Sequence, residues 1–81
     1  MAIEQVTAYD EVYDFLLRSP TPEQVIAFRP SEATQMRVRA LLDTNKTQGL
    51  SETETAELDE FLKLEHFMRM LKIRARQRLA E

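Results

Sequence analysis

The spacing of apolar residues along the chain predicts helices, because no stretch alternates apolar and polar positions for long enough to indicate a strand. Near the start, apolar residues recur at intervals of three and four, which places them on one helix face: Val6, Tyr9, Val12, Tyr13 and Leu16. Thr7 is the predicted N-cap, and Ser19 precedes Pro20, where helical backbone is disfavoured. The first helix is therefore predicted over residues 8–18.

Prolines and capping side chains delimit two further helices. Thr21 followed by Pro22 has the form of an N-cap and a first helical residue, and Pro30 ends this segment. This pattern predicts a short helix over residues 22–28. Ser31 is the predicted start of a third helix over residues 32–45. The candidate core residues of the third helix are Met36, Val38, Leu41 and Leu42.

The last helix is predicted to be the longest element. Gly49 separates it from the third helix, and Ser51 with Glu54 forms a capping-box pattern at its start. Nothing interrupts the helix after Glu52, so we expect about 28 residues and a length of about 42 Å. A compact domain of 81 residues has a diameter of roughly 30 Å. The far end of the helix is therefore expected to fray, or to be held by another chain or a ligand.

Apolar residues occupy two sides of this last helix. The broader stripe is the predicted core face: Phe61, Leu64, Phe67, Met68, Leu71, Ala75 and Leu79. The second side carries Leu62, Met70 and Ile73, with His66 among them. Either residues 22–28 of the same chain cover it, or it binds a partner or a second copy, where methionine gives an adaptable contact. The predicted partner-binding residues are Leu62, His66, Met70, Ile73, Arg69, Arg74 and Arg76.

Charge is divided unevenly along the chain. Residues 63–81 carry six basic and two acidic side chains, whereas residues 1–62 carry five basic and twelve acidic ones. Phosphate contacts from the basic end would make the chain a nucleic-acid-binding protein, although its basic residues are spread around the helix. The same residues are also suited to pair with the acidic front of this molecule or of a partner, or to stabilise the helix end.

The composition excludes several kinds of site. The chain has no cysteine and a single glycine, which excludes disulfides, thiolate metal sites, a cysteine nucleophile and a glycine-rich phosphate loop. His66 has Leu62 four residues before it, so a second metal ligand is missing there. Residues 43–54 partly match a calcium loop with its glycine one position late, but a helix stop and a cap explain the same residues. We therefore expect no enzyme, no cofactor and no metal.

The cellular location follows from what the sequence lacks. No apolar run approaches the ~18 residues that span a membrane. The N-terminus has neither the basic region nor the apolar region of a signal peptide. Together with the absence of cysteine, these features predict a soluble cytoplasmic protein without membrane contact.

One segment carries a resemblance to known proteins. Residues 45–59 read N-K-x-x-G-L-S-x-x-E-x-x-E-L-D, and a Leu/Met-rich stretch and then Lys72-x-x-Ala75 follow. This arrangement, over about residues 41–76, resembles a segment common in short bacterial proteins of unknown function, notably cyanobacterial ones. Many such proteins are encoded next to small nucleases, so the resemblance implies an antitoxin-like role. The chain has no separate ribbon or helix-turn-helix DNA-binding domain of the kind that many antitoxins carry.

These observations predict one helical domain over residues 1–81. The expected fold is all-α, a small, compact bundle of three or four helices with a long C-terminal helix. The predicted function is a non-enzymatic protein–protein interaction module, antitoxin-like, that uses the C-terminal helix to bind a protein partner or a second copy. Nucleic-acid binding through the basic C-terminal end is the alternative.

Overall fold

The computed structural model describes residues 7–81 and contains four helices and no strand over that range. The helices are α1 (Ala8–Leu17), α2 (Pro22–Ala27), α3 (Glu32–Thr47) and α4 (Glu52–Ala80). The predicted all-α class and the long C-terminal helix are therefore confirmed. Val6, which the sequence places on the face of the first helix, lies outside the described residues.

Each helix begins where its capping residue predicts. The hydroxyl groups of Thr7, Thr21 and Ser51 each accept a hydrogen bond from the backbone N–H three residues later, and the side chain at that later position accepts one in return. These reciprocal bonds satisfy backbone donors that the helix itself leaves unpaired. Ser31 caps α3 in the same way, accepting a hydrogen bond from the backbone N–H of Thr34.

The helix ends differ from the sequence prediction by one or two residues. α1 stops at Leu17 and α2 stops at Ala27, each one residue early, because Arg18 and Phe28 are the C-caps. α3 continues to Thr47, two residues further than predicted. Residues 43–47 are thus helical and cannot wrap around an ion, so the calcium-loop interpretation is wrong.

A glycine turn links α3 to α4. Gly49 has a φ of 80°, in the left-handed region that glycine adopts without a steric penalty. Its N–H donates to the carbonyl oxygen of Thr44 at 3.1 Å, which closes the end of α3. The turn brings α4 back along α3, so that Arg37 of α3 and Glu57 of α4 meet.

The hydrophobic core is small and is built around α4, which contacts each of the other three helices. Eight apolar residues among residues 7–81 are buried: Ala8, Val12, Val25, Leu41, Leu58, Leu64, Met68 and Ala75. The radius of gyration is 14.9 Å, against about 12 Å for a compact chain of this length. The dimensions are 47 × 35 × 18 Å, so the four helices are arranged less compactly than expected.

Four residues predicted to be in the core are exposed instead. In α3, Met36 and Leu42 are 60% and 43% exposed, because this helix buries only the side that carries Leu41. In α4, Phe67 and Leu79 are each about half exposed. The core stripe of α4 is therefore narrower and shorter than its sequence predicts.

Polar contacts hold the helices to one another. Arg37 donates two hydrogen bonds to the carboxylate of Glu57, with Nε–Oε2 2.7 Å and Nη2–Oε1 2.9 Å. This bidentate pair lowers the pKa of Glu57 below its usual value, because the guanidinium stabilises the charged carboxylate. The Glu11 carboxylate of α1 accepts hydrogen bonds from the backbone N–H of Ser31, at 2.6 Å, and from its hydroxyl, at 3.2 Å.

Candidate interaction surface

The exposed apolar side chains of α4 form the first part of the candidate site. Met70 and Ile73 are 45% and 39% exposed, and His66 is exposed beside them. With 100° of rotation per residue, each of these three side chains points within about 40° of their common mean direction. We call His66, Met70 and Ile73 the outer face of α4.

The short helix α2 does not cover this outer face. Its C-cap residue Phe28 lies near the core cluster of Ala8, Val12, Leu64 and Met68. The ammonium group of Lys72 donates a hydrogen bond of 2.8 Å to the carbonyl oxygen of Phe28. Lys72 points about 100° away from Ile73 around the helix. The interpretation in which residues 22–28 cover the second apolar side is therefore wrong, and Met70 and Ile73 stay in solvent.

A groove of about 590 Å³ lies between α3 and α4, and α1 and the end of α2 contribute to its walls. Ten apolar residues line it: Ala8, Val12, Phe28, Pro30, Val38, Leu42, Phe61, Leu62, Leu64 and Met68. The remaining lining residues are polar or charged: Thr34, Gln35, Arg39, Glu65, Arg69, Lys72 and Arg76. We call this surface the α3–α4 groove.

The structure divides the predicted partner-binding residues between these two surfaces. Leu62, Arg69 and Arg76 line the α3–α4 groove, whereas the outer face contains His66, Met70 and Ile73. Arg74 does not line the groove and is exposed one turn after Met70, at the edge of the outer face. Leu62, Arg69 and Arg76 border the outer face around α4, and the seven residues together span about 160° of the helix, so one flat partner surface cannot contact all of them.

The sequence interpretation missed the half of the groove that comes from other helices. Val38 and Leu42 were expected in the core, and Arg39 was not singled out. Val38 and Leu42 are four residues apart with Arg39 between them, which is the spacing of an apolar stripe with a charged edge. That spacing alone does not distinguish a core stripe from an open one.

Some of the basic side chains are already paired within the chain. Arg69 contacts Glu65 one turn earlier, with Nη2–Oε1 2.5 Å, and Lys72 is held by the carbonyl of Phe28. Across residues 7–81, the side chains of Arg39, Arg74, Arg76 and Arg78 make no hydrogen bond or ion pair. The acidic side chains of residues 7–62 therefore form no ion pair with these arginines.

Other kinds of site find no support in the described part of the chain. No three His, Asp or Glu side chains among residues 7–81 come together in a cluster able to hold a metal ion. None of the helices α1 to α4 combines the length and the apolar character needed to cross a bilayer.

The fold and these surfaces define a small all-α protein with exposed apolar side chains along one long helix. Comparison of the chain with protein-family models, curated proteins and solved structures finds no match.

Proposed function

We propose that this protein is a non-enzymatic protein-interaction module that binds through the outer face of α4. The observation that carries the proposal is the exposure of Met70 and Ile73 on an unbroken helix of 29 residues. Covering the 45% and 39% of these side chains that is still exposed would contribute about 1 kcal/mol each to an interface. Two neighbouring apolar residues at helical spacing are the usual anchors of helix-in-groove contacts and of helical dimers.

The resemblance of residues 41–76 to short bacterial helical proteins supports an antitoxin-like role for this module, in which the bound partner is another protein. The cysteine-free composition is typical of a reducing compartment and favours the cytoplasm as the place where it acts. A second copy of the chain is the simplest partner to test, because it needs no prior identification.

Met70→Asp and Ile73→Asp are expected to abolish self-association while leaving the chain helical. Both side chains are exposed, so a carboxylate is tolerated in the free protein but not in an apolar interface. Sedimentation equilibrium measures the association, and far-ultraviolet circular dichroism measures the helix content. Thr53→Asp is the control, since it adds the same charge at an exposed position in the first turn of α4.

A monomeric unmutated protein over the accessible concentration range would exclude self-association. The outer face would then be tested against other proteins by capture from cell extract, comparing the unmutated chain with Met70→Asp. Equal capture by both would reject the outer face as the binding surface.

Nucleic-acid binding by the basic end is a second candidate, because Arg74, Arg76 and Arg78 make no ion pair within residues 7–81. Phosphate contacts release counterions, so the affinity would fall steeply as salt is raised. We expect Arg74→Gln combined with Arg78→Gln to weaken binding to a labelled duplex in an anisotropy titration. Absence of any complex at low salt would reject this candidate.

A further inference from the structure

We propose that the α3–α4 groove binds an acidic amphipathic helix of a partner protein. This inference goes beyond the proposed function, since it concerns the groove that borders the outer face of α4 and not the outer face itself. It rests on three properties of the groove. Its floor is apolar, its rim is positively charged, and both of its walls carry side chains that are exposed to solvent.

The floor of the groove is apolar and accessible. Leu42 on the α3 wall is 43% exposed, and Leu62 on the α4 wall is 49% exposed. Deeper in the groove lie Phe61, which is half-buried, and Met68, which is buried. A helix laid along the groove would cover Leu42 and Leu62 with its own apolar side chains, as in other helix-in-groove complexes.

The rim of the groove is positively charged on both walls. Arg39 lies on the α3 wall, and Arg69, Lys72 and Arg76 lie on the α4 wall. Glu65 is the single acidic residue among the lining residues, and Arg69 already pairs with it. The guanidinium groups of Arg39 and Arg76 are free of other side chains of residues 7–81.

These properties together select the occupant. A basic helix would meet like charge on both walls, and complementary charge across an interface favours the correct partner and suppresses the wrong one. A nucleic acid would match the rim, but its phosphates and sugars would gain nothing from an apolar floor. A helix with an apolar stripe flanked by Asp and Glu satisfies the floor and the rim at once.

The test uses two labelled peptides of about 16 residues, a length near the limit at which isolated helices form. Both carry leucine at the spacing i, i+3, i+4, i+7, and the remaining positions are mainly glutamate in one and mainly lysine in the other. We expect the full-length protein to bind the acidic peptide at least about tenfold more tightly than the basic one in fluorescence anisotropy. The affinity for the acidic peptide should fall with added salt.

Variants locate the binding surface. Leu42→Glu places a carboxylate on the groove wall at an exposed position and is expected to abolish binding of the acidic peptide. Arg39→Glu combined with Arg76→Glu should remove the preference for the acidic peptide over the basic one. Met70→Asp, on the outer face, should bind the acidic peptide unchanged, so that failure here and failure of the proposed function are told apart.

Four outcomes would overturn the proposal. The first two are equal binding of the two peptides and binding of neither peptide. The third is full binding of the acidic peptide by Leu42→Glu when its circular dichroism spectrum shows an intact fold. The fourth is displacement of the acidic peptide from the protein by a short DNA duplex. If Leu42→Glu instead disrupts self-association and the acidic peptide does not bind, the groove is occupied by a second copy and not by an acidic partner.

Discussion

Replacing Leu41 by alanine is expected to lower the free energy of unfolding by about 3 kcal/mol. Leu41 has the one side chain among the described residues that is essentially fully buried, at 1% exposed. An 81-residue domain is stable by only about 4–12 kcal/mol. The loss therefore removes a large part of the total, and urea unfolding followed by circular dichroism measures it.

The neighbouring residue provides the control. Leu42→Ala removes the same atoms from the next position of α3, but Leu42 lies open on the groove wall. We expect this variant to cost less than about 1 kcal/mol, as is usual for exposed substitutions. Equal destabilisation by the two variants would contradict the burial of Leu41 and the exposure of Leu42 on α3.

Replacing Glu11 by alanine is expected to lower the free energy of unfolding by about 1–2 kcal/mol. The Glu11 carboxylate joins α1 to the first turn of α3. It accepts hydrogen bonds from the backbone N–H and hydroxyl of Ser31 and from the hydroxyl of Thr34. A negative charge at a helix N-terminus is favoured, so removing the carboxylate loses the helix-dipole interaction and replaces its charge-assisted hydrogen bonds by bonds to water.

The matched control for Glu11→Ala is Asp14→Ala, one turn later on α1. Asp14 is exposed and makes no hydrogen bond or ion pair within residues 7–81. Thermal unfolding at neutral pH compares the two variants, and Glu11→Gln should fall between them because an amide oxygen still accepts hydrogen bonds. A melting temperature for Glu11→Ala equal to that of Asp14→Ala would show that this link adds no stability.

The helix starts could be predicted from the sequence because their signals are local. Each cap depends on two residues three positions apart, such as Ser51 with Glu54, and their geometry follows from the first turn alone. The unbroken course of α4 was predictable for the same reason, since no proline or glycine follows Glu52. The C-terminal ends of helices are harder to predict from sequence, because the extent of the last turn of α3 depends on the conformation of the turn at Gly49.

The distribution of exposed and buried faces could not be predicted in the same way. Periodicity placed Leu42 on an apolar stripe, but only the packing of α3 decides that Leu41 is buried and Leu42 is open. The link between Lys72 and Phe28 joins positions 44 residues apart, which no local pattern encodes. For the candidate site, periodicity identified the residues of the outer face, whereas the α3–α4 groove needs side chains from three helices, α1, α3 and α4, and from Phe28 and Pro30 between α2 and α3.

Because the molecule is thin, a ligand that binds to α4 should also stabilise the fold. The smallest extent of its Cα trace is 18 Å, which leaves room for about two helices, since two helices packed about 8–10 Å apart span about 13–15 Å between their outer Cα atoms. No helix is enclosed on all sides, so any ligand that covers the free side of α4 supplies a third layer that the chain does not make for itself. The melting temperature should then rise with the concentration of whatever binds there, and thermal shift would serve as a general assay for finding it.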